Sequence, residues 1–366
     1  MRDYTGKKVY LGIDVHKKTY AVTAICEGAL AKKDTLPAEP IGLIHYCKKY
    51  FPGAQIESAY ETGFCGFSLH RQLEAVGINN KIVHAAGIEI AAGDKVKTDK
   101  KDSLKIATHL SLGRLKGIHV PSKEKEDRRA LTRVRETFVR HRRRFACQLK
   151  AILFQQGLIP HDHTKVVSIK WIESLATLPM SEEIRYVVNE YASMWLHLTA
   201  KIKELEQQIS IQAKNDESLE VVYRSVPGIG ATSARVLANE LGDTLQFNNE
   251  RQLFSYVGLT PSEHSSGEHI RQGHITKQGK PIVRKILVQA AWKAIGKDPA
   301  LGAVYDRISH KSGGKRAIVA VARRLIGRIR SCFRLGTLYV IGVGGGVCDP
   351  KIPDIGDVKE TTAVTL

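Results

Sequence analysis

The 366-residue sequence lacks three features that would assign it to a common class of protein. It has no apolar run approaching the roughly 20 residues of a membrane-spanning helix, so we expect no membrane segment. Its six cysteines are scattered without a Cys-x-x-Cys pair, which disfavours a cysteine-based zinc site and a disulfide framework. The residues after Met1 lead directly into a predicted strand, so we expect no signal peptide and a cytoplasmic location.

Positive charge, in contrast, is present in excess. The chain contains 56 Lys and Arg residues against 37 Asp and Glu, a formal net charge of +19 at pH 7. A balance this basic favours an anionic partner, and nucleic acid is the obvious one. The length allows about two or three domains with cores of their own.

Residues 8 to 85 alternate between strand-like and helix-like patterns. Strands are predicted at residues 9–14, 21–26, 30–36, 56–61 and 81–84, and helices at 41–50 and 66–75. Three consecutive strands followed by alternating helix and strand indicate a mixed α/β sheet with helices packed against it. This order is compatible with an RNase H-like core, although periodicity alone leaves the topology open.

Two long helices are predicted in the middle of the chain. The first begins near residue 127, and its polar face carries Arg128, Arg129, Arg133, Arg135, Arg140, Arg142, Arg143 and Arg144. In the second, apolar residues recur at alternating spacings of four and three from residue 184 to 209, which is the heptad pattern of a coiled coil. Two interpretations stay open: the helices pair within one chain, or the heptad seam forms a dimer contact.

Four acidic residues are spaced as the ligands of a metal site would be. Asp14 and Glu61 each end an apolar stretch, and Asp99 and Asp102 lie three residues apart at the start of a predicted helix. Carboxylates from separate elements suit Mg²⁺, and two such ions about 4 Å apart can assist phosphoryl transfer. Each acid alone could instead be a turn or solvated residue. His16 is more often a substrate contact or solvated than a ligand.

Residues 218 to 335 are predicted to form a mostly helical domain with candidate nucleic-acid contacts. Within residues 226–241, Gly228 and Gly230 allow the tight turn of a helix-hairpin-helix, whose amides could hold a phosphate; the alternative is a hairpin that only packs. Ser266 lies in a cationic loop and could attack phosphorus, although the residues alone favour a solvated serine. The predicted nucleic-acid contacts beyond the hairpin are Arg271, Lys277, Lys280, Arg284, Arg323 and Arg324, among further basic positions at Lys285, Arg316, Arg328, Arg330 and Arg334.

Together these motifs resemble the DEDD transposases of bacterial insertion sequences, the IS110 and IS1111 family. The resemblance covers residues 8 to 335 and rests on Gly12-Ile-Asp14, Glu61-Thr-Gly63, Thr98-Asp-Lys-Lys-Asp102, Pro227-Gly-Ile-Gly230, and Gly258-Leu-Thr-Pro261 through Ser266-Gly267. It implies a RuvC-like, RNase H-fold domain at residues 1–125 that holds Mg²⁺ on Asp14, Glu61, Asp99 and Asp102. The resemblance also implies a transposase domain at 218–335. The residue pattern itself predicts a helical coiled-coil segment at 126–217 and a flexible tail at 336–366.

The resemblance also implies a function. Ser266 would be the nucleophile that forms a 5′-phosphoserine link to DNA, with Ser265 as the alternative hydroxyl, and the metal site of a partner subunit would complete the active centre. A non-coding bridge RNA would guide recognition of the element ends and the target DNA. The protein would act as a dimer or a dimer of dimers at the bacterial nucleoid. The alternative is a RuvC-like endonuclease that uses metal-activated water; a non-catalytic nucleic-acid binder would leave the four acids unexplained.

Overall fold

The computed structural model describes residues 3–84, 99–160, 166–213, 217–263 and 272–342. The side chains of residues 99, 100, 217 and 272 lie outside this description. The chain divides into two compact units, Met1–Ser122 and Lys123–Leu366. The four-part division expected from the sequence stays a prediction.

The described part of the first unit is built on a mixed sheet. Its strands are β1 (Lys8–Val15), β2 (Thr19–Cys26), β3 (Ala29–Pro37), β4 (Gln55–Glu61) and β5 (Asn79–Val83), in the order β3-β2-β1-β4-β5. β2 runs antiparallel to β1 and β3, whereas β4 is parallel to β1 and β5 is parallel to β4. The five predicted strands are therefore present, with ends shifted by at most two residues.

Helices cover both faces of this sheet. Val9, Leu11 and Ile13 alternate along β1 and are buried with residues of α1 (Pro40–Tyr50) and α2 (Ser68–Ala75). The opposite face is covered by α3 (Asp99–Ser111). Because successive strand residues point to opposite faces, the alternation in β1 separates a face against α1 and α2 from a face against α3.

The second unit begins with two long helices, α4 (Lys123–Gln155) and α6 (Glu182–Ala213), separated by the short helix α5 (Ile169–Ser174) and a 3₁₀ turn at Leu175–Thr177. α6 packs along α4, and the rings of Phe145 and Tyr191 lie 6.0 Å apart between them. The buried heptad positions of α6 are Val188, Trp195, Leu198, Ile202 and Ile209. In this structure the heptad seam is therefore covered by a helix of the same chain.

The rest of the described second unit is mostly helical. Its elements are α7 (Glu217–Arg224), α8 (Ala231–Leu241), α9 (Glu250–Val257), β6 (Pro261–Glu263), β7 (Gln272–Ile275), α10 (Pro281–Ala294), α11 (Pro299–Ser312) and α12 (Gly314–Leu335). Leu237, Leu287 and Leu325 bring α8, α10 and α12 into one core. Local signals fix the helix ends, since Asn249 caps α9 and Pro281 begins α10. Over the residues described here, no helix is both long and apolar enough to cross a membrane.

Candidate metal and nucleic-acid sites

Two of the predicted metal ligands lie at the ends of neighbouring parallel strands. The last residue pair between β1 and β4 is Ile13 with Tyr60, and Asp14 and Glu61 each follow that pair by one residue. Neighbouring strands are about 4.8 Å apart, and equivalent residues of parallel strands face the same side. Both acidic side chains are partly exposed. The strand register therefore brings Asp14 and Glu61 side by side at the carboxyl edge of the sheet.

Gly12 determines how closely α3 approaches this edge. Gly12 shares a face of β1 with Asp14, because the two residues are two positions apart. A Cβ atom on Gly12 would lie 2.1 Å from the Ser103 carbonyl oxygen and 2.3 Å from the Ala107 amide nitrogen. The hydroxyls of Thr23 and Ser103 are 2.9 Å apart and add a buried hydrogen bond between β2 and α3. The backbone of α3 thus rests directly on the strand that carries Asp14.

The N-terminal turn of α3 points toward the same edge. Ser103 lies opposite Gly12, while Tyr10, two residues earlier on β1, packs against the cluster that contains Ile106 and Leu110. The helix therefore runs antiparallel to β1, and its residues before Ser103 lie toward the Asp14 end of the strand. Asp102 is the residue before Ser103. Asp99 begins the helix, but its side chain lies outside the described residues.

The carboxylates of this edge already have basic neighbours. Nε2 of His16 lies 3.1 Å from Oδ2 of Asp14, and Nζ of Lys105 lies 3.8 Å from Oδ1 of Asp102. Among the described side chains, no three Asp, Glu, His or Cys residues come close enough together to hold a metal ion. The structure thus brings Asp14, Glu61 and the start of α3 to one edge without forming a closed ligand cluster. The contact between His16 and Asp14 could not be inferred from adjacency in the sequence.

The predicted nucleophile lies in a segment whose two ends are held together. Ser265, Ser266 and Arg271 are outside the described residues, but β6 precedes them and β7 follows. The two strands are antiparallel and pair Pro261 with Ile275. The Ser262 hydroxyl also donates a 3.1 Å hydrogen bond to the His274 carbonyl. These contacts anchor the chain on both sides of the predicted nucleophilic loop.

The second unit contains a large basic cavity, which we call the α12 cavity. Its volume is about 1540 Å³, and it lies between α12, α9, α11 and the β6–β7 hairpin. Three predicted nucleic-acid contacts, Lys277, Arg323 and Arg324, line it together. Further cations on its wall are Lys315, Arg316, Arg328 and Arg334. Glu250 is the only acidic residue among the described residues that line the cavity.

Other arginines of the predicted basic surface have internal partners. Arg328 contacts Oδ2 of the buried Asp298 at 2.5 Å and donates to the Tyr339 hydroxyl at 2.8 Å. Arg330 donates to the Phe247 carbonyl at 2.8 Å, and Arg284 donates to the Val257 carbonyl at 3.1 Å. These three side chains therefore hold elements of the second unit together.

Lys280 belongs to a different environment, next to a buried ion network. Glu240 is fully buried and accepts two hydrogen bonds from Arg133, at 2.7 and 2.9 Å, while Arg129 donates to the Asn239 carbonyl at 2.7 Å. Burial, and then the positive charge of Arg133, lowers the pKa of Lys280 below its usual value. The sequence did not indicate the role of Glu240, since Arg133 lies 107 positions away.

The two predicted hairpin glycines have different surroundings. A Cβ atom on Gly228 would lie 2.7 Å from the Lys293 side chain and 3.0 Å from the Ala290 backbone. Gly228 therefore allows the turn to pack closely against α10. Gly230 is exposed, has open space at its Cβ position, and precedes the first turn of α8 without a side-chain cap. The helix-hairpin-helix assignment itself stays a prediction.

Both units match transposase families. A DEDD transposase model of the IS110 group matches residues 11–156, and the transposase IS116/IS110/IS902 family model matches residues 222–306. A putative transposase of Sinorhizobium fredii is 27% identical over 299 residues, covering 78% of this chain and 72% of the relative. The transposase of insertion sequence element IS1533 from Leptospira borgpetersenii is 25% identical over 338 residues, covering 90% and 96%. That of element IS1111A from Coxiella burnetii is 25% identical over 272 residues, covering 71% and 73%.

These matches define the class of protein as a transposase. The first model spans all four predicted metal ligands, and the second spans Gly228 through Arg284 and includes Ser266. The chain belongs to the IS110 family of insertion-sequence transposases.

Proposed function

We propose that the protein excises and inserts its own element by cutting and rejoining DNA through a 5′-phosphoserine intermediate. The observation that carries this proposal is the strand register that sets Asp14 beside Glu61, on the sheet face where α3 begins. A row of carboxylates at the edge of a basic chain suits a metal-assisted reaction on a phosphodiester. The family match supports DNA as the substrate.

Asp14, Glu61, Asp99 and Asp102 would hold Mg²⁺. The donor set fits this ion, because all four residues supply carboxylate oxygens, and Asp14, Glu61 and the N-terminal turn of α3 lie toward one edge. When bound, Mg²⁺ would offset charge on the scissile phosphate. His16 would orient the Asp14 carboxylate through their 3.1 Å contact.

Ser266 would carry out the covalent step. Its Oγ attacks the scissile phosphorus, the bond from phosphorus to the 3′ oxygen breaks, and the 3′ oxygen leaves as a hydroxyl with the proton that the serine gives up. In the joining step a 3′ hydroxyl attacks the phosphoserine and regenerates the serine. Because each step exchanges one phosphoester bond for another, no external energy source is needed. Cations near the loop would stabilise the charge that develops on the phosphoryl oxygens.

Further proposals concern the partners and the fold. The sheet order β3-β2-β1-β4-β5 is compatible with an RNase H-like, RuvC-like domain. We propose that a non-coding bridge RNA guides the choice of DNA, and that the protein acts as a dimer or a dimer of dimers. In such an assembly the metal site of one subunit would complete the serine site of another. The formal charge of +19 supports binding of both nucleic acids.

The second candidate is a RuvC-like nuclease that hydrolyses DNA with metal-activated water. The acidic edge of the first unit suits it as well, and it needs no serine. The two functions differ in their product, since only the phosphoserine pathway attaches DNA to protein.

The deciding experiment looks for that attachment. The protein is incubated with Mg²⁺, the RNA of its element and end-labelled junction DNA, then denatured, and label that migrates with protein is measured. We expect an adduct in the wild type, and a loss of about 1000-fold or more in Ser266→Ala and in Asp14→Ala. Ser265→Ala is the matched control and should keep the adduct.

Each component of the proposal has its own contrary result. Cleaved DNA without an adduct would support the nuclease, and an adduct that disappears in Ser265→Ala instead would move the nucleophile by one residue. Equal activity without RNA would contradict the proposal that an RNA guides the reaction. An adduct that forms equally well in a metal chelator would remove Mg²⁺ from the reaction.

A further inference from the structure

We propose that the α12 cavity binds an unpaired DNA strand, with phosphates on its cations and bases on its apolar wall. This inference rests on the proposed function, because strand transfer exposes single-stranded ends beside the reacting phosphate. The cavity lies wholly within the second unit, and the β6–β7 hairpin that flanks the Ser266 loop forms part of its wall through Gly273 and His274.

The cationic side of the cavity is available for an anionic ligand. Among the described residues, Lys277, Lys315 and Arg324 form no ion pair, and the same holds for Arg316, Arg323 and Arg334. Five of these six cations lie on α12, from Lys315 to Arg334, a span of about 28 Å at the rise of an α-helix. Small residues, Ala320 and Gly327 among them, line the helix between the arginines. The row is therefore long enough to follow several phosphates of one strand.

The same cavity also has apolar lining residues, one of which carries an aromatic ring. They include Phe254, Leu259, Ile275, Ile308, Val319 and Leu335. The guanidinium of Arg323 lies over the Phe254 ring, 4.6 Å from its centroid. A stacked guanidinium presents its second flat face outward, which is a surface on which a base can stack. Arg323 is half-buried, so this plane is held in place, whereas the neighbouring Arg324 is exposed.

This combination fits an unpaired strand better than a duplex. The outside of a duplex offers phosphates and sugars, and its bases are already stacked and paired. A duplex laid on the α12 cavity would satisfy the arginines but leave the apolar wall uncovered. Single strands bind to proteins through a basic track combined with flat side chains on which bases stack. Both features occur in the same cavity here.

The test compares two neighbouring arginines. Binding is measured with the full chain carrying Ser266→Ala in a metal chelator, so that no chemical step occurs. The probes are a labelled 20-nucleotide DNA of mixed sequence, a hairpin duplex of that sequence, and the corresponding RNA strand. Arg323→Lys keeps the charge but removes the flat guanidinium, and Arg324→Lys is the matched control at an exposed position.

We expect Arg323→Lys to weaken binding of the DNA strand by about five- to tenfold and binding of the duplex by less than about twofold. Arg324→Lys should change neither by more than about twofold, because a phosphate contact needs only the charge. If Arg323→Lys weakens binding of the strand and of the duplex equally, the proposal is overturned, and the cavity would be a surface that contacts only phosphates. Tenfold tighter binding of the RNA strand than of the DNA strand would overturn it as well.

A second measurement needs no substitution within the cavity. DNA strands with 5-iodouracil at single positions are cross-linked by light to the same chain, and the attached peptides are identified. Attachment to peptides of α9 or α12 is expected, and attachment only to other regions would contradict the proposal. The covalent adduct experiment reports on Ser266 and Mg²⁺ independently, so failure of strand binding and failure of the proposed chemistry are distinguishable.

Discussion

The two units place their functional side chains by different physical means. In the first unit, Asp14 and Glu61 project from hydrogen-bonded neighbouring strands, and the backbone of α3 rests on Gly12 beside them. In the second unit, Arg323 and Arg324 are consecutive residues of a single helix, and both line the α12 cavity. A strand ladder fixes the distance between two short side chains, whereas a long arginine side chain adjusts to its ligand. Metal ligation needs side chains at a fixed distance from each other, whereas contact with a phosphate backbone tolerates side chains that adjust.

The units also differ in how they accommodate charge. Carboxylates at the edge of the first unit have basic neighbours, among them His16 for Asp14 and Lys105 for Asp102. In the second unit, buried acids are fully engaged by arginine, as Glu240 is by Arg133 and Asp298 by Arg328. The other six Lys and Arg residues of the α12 cavity form no ion pair among the described residues. Burying an unpaired charge is costly, so ion pairs hold the interior and unpaired cations remain where an anion can reach them.

The largest expected effect tests the close packing in the first unit. Gly12→Ala would place a methyl group 2.1 Å from the backbone of α3, which neither a rotamer change nor a side-chain shift can relieve. We expect a loss of about 3 kcal/mol in the free energy of unfolding and displacement of α3, with loss of Mg²⁺-dependent cleavage. Urea unfolding and the adduct assay measure the two consequences.

Gly42→Ala is the matched control in the same unit. Gly42 lies within α1, and among the described residues a Cβ atom there would meet only the Glu39 side chain, at 3.8 Å. Alanine at that helix position should raise stability by about 0.5–1 kcal/mol. Similar unfolding midpoints for the two variants would show that α3 does not press on β1 as described.

The acidic edge shows what could be predicted from the sequence. Alternating apolar residues that end in an acid predicted that Asp14 and Glu61 terminate strands. Glu61 is the last residue of β4, and Asp14 is the last but one of β1. The sequence could not predict that β1 and β4 are neighbours, because their pairing joins residues 47 positions apart, such as Ile13 and Tyr60. It also gave no reason to single out Gly12, since its role depends on a helix about 90 positions later.

The basic face of α12 shows that a helix can be predicted while the roles of its side chains cannot. The arginine-rich sequence predicted a cationic helix, and the helix is present. The pattern could not separate Arg323 and Arg324, which line the cavity and form no ion pair among the described residues, from two arginines with partners in the fold. Arg328 also lines the cavity but binds Asp298, and Arg330 donates to the Phe247 carbonyl. Those partners are 30 and 83 positions away, so periodicity carries no information about them.

A smaller effect is expected at Asp298, whose ion pair with Arg328 holds parts of the second unit together. Asp298 is fully buried, caps α11 through the Leu301 amide at 3.3 Å, and binds Arg328 and the Tyr339 hydroxyl. Asp298→Asn removes the charge that balances Arg328, so we expect a loss of about 2 kcal/mol in the free energy of unfolding at pH 7. Asp306→Asn, at an exposed position of the same helix, should leave the unfolding midpoint unchanged.

The effect of Asp298 should depend on pH. Burial alone raises the pKa of Asp298, but the hydrogen bond from Tyr339 and the charge of Arg328 outweigh it and hold the pKa below its usual value. A carboxylate with a lowered folded-state pKa contributes stability above its unfolded pKa, about 3.9, and loses it as the pH falls through the folded value. The difference between wild type and Asp298→Asn should therefore shrink below about pH 4. A constant difference from pH 7 to pH 3 would contradict the ion pair.

The smallest expected effect is the stabilisation by Mg²⁺, which tests whether the ion binds to the first unit or to the second. Mg²⁺ at about 10 times its dissociation constant should stabilise the unit that binds it by about 1.4 kcal/mol. Thermal unfolding with and without Mg²⁺ measures the shift without any DNA. Asp14→Asn should abolish it, because one carboxylate ligand is lost, whereas Glu39→Gln at an exposed position should retain it. A shift that survives Asp14→Asn, or that disappears in Arg324→Ala, would show that the acidic edge of the first unit is not where the ion binds.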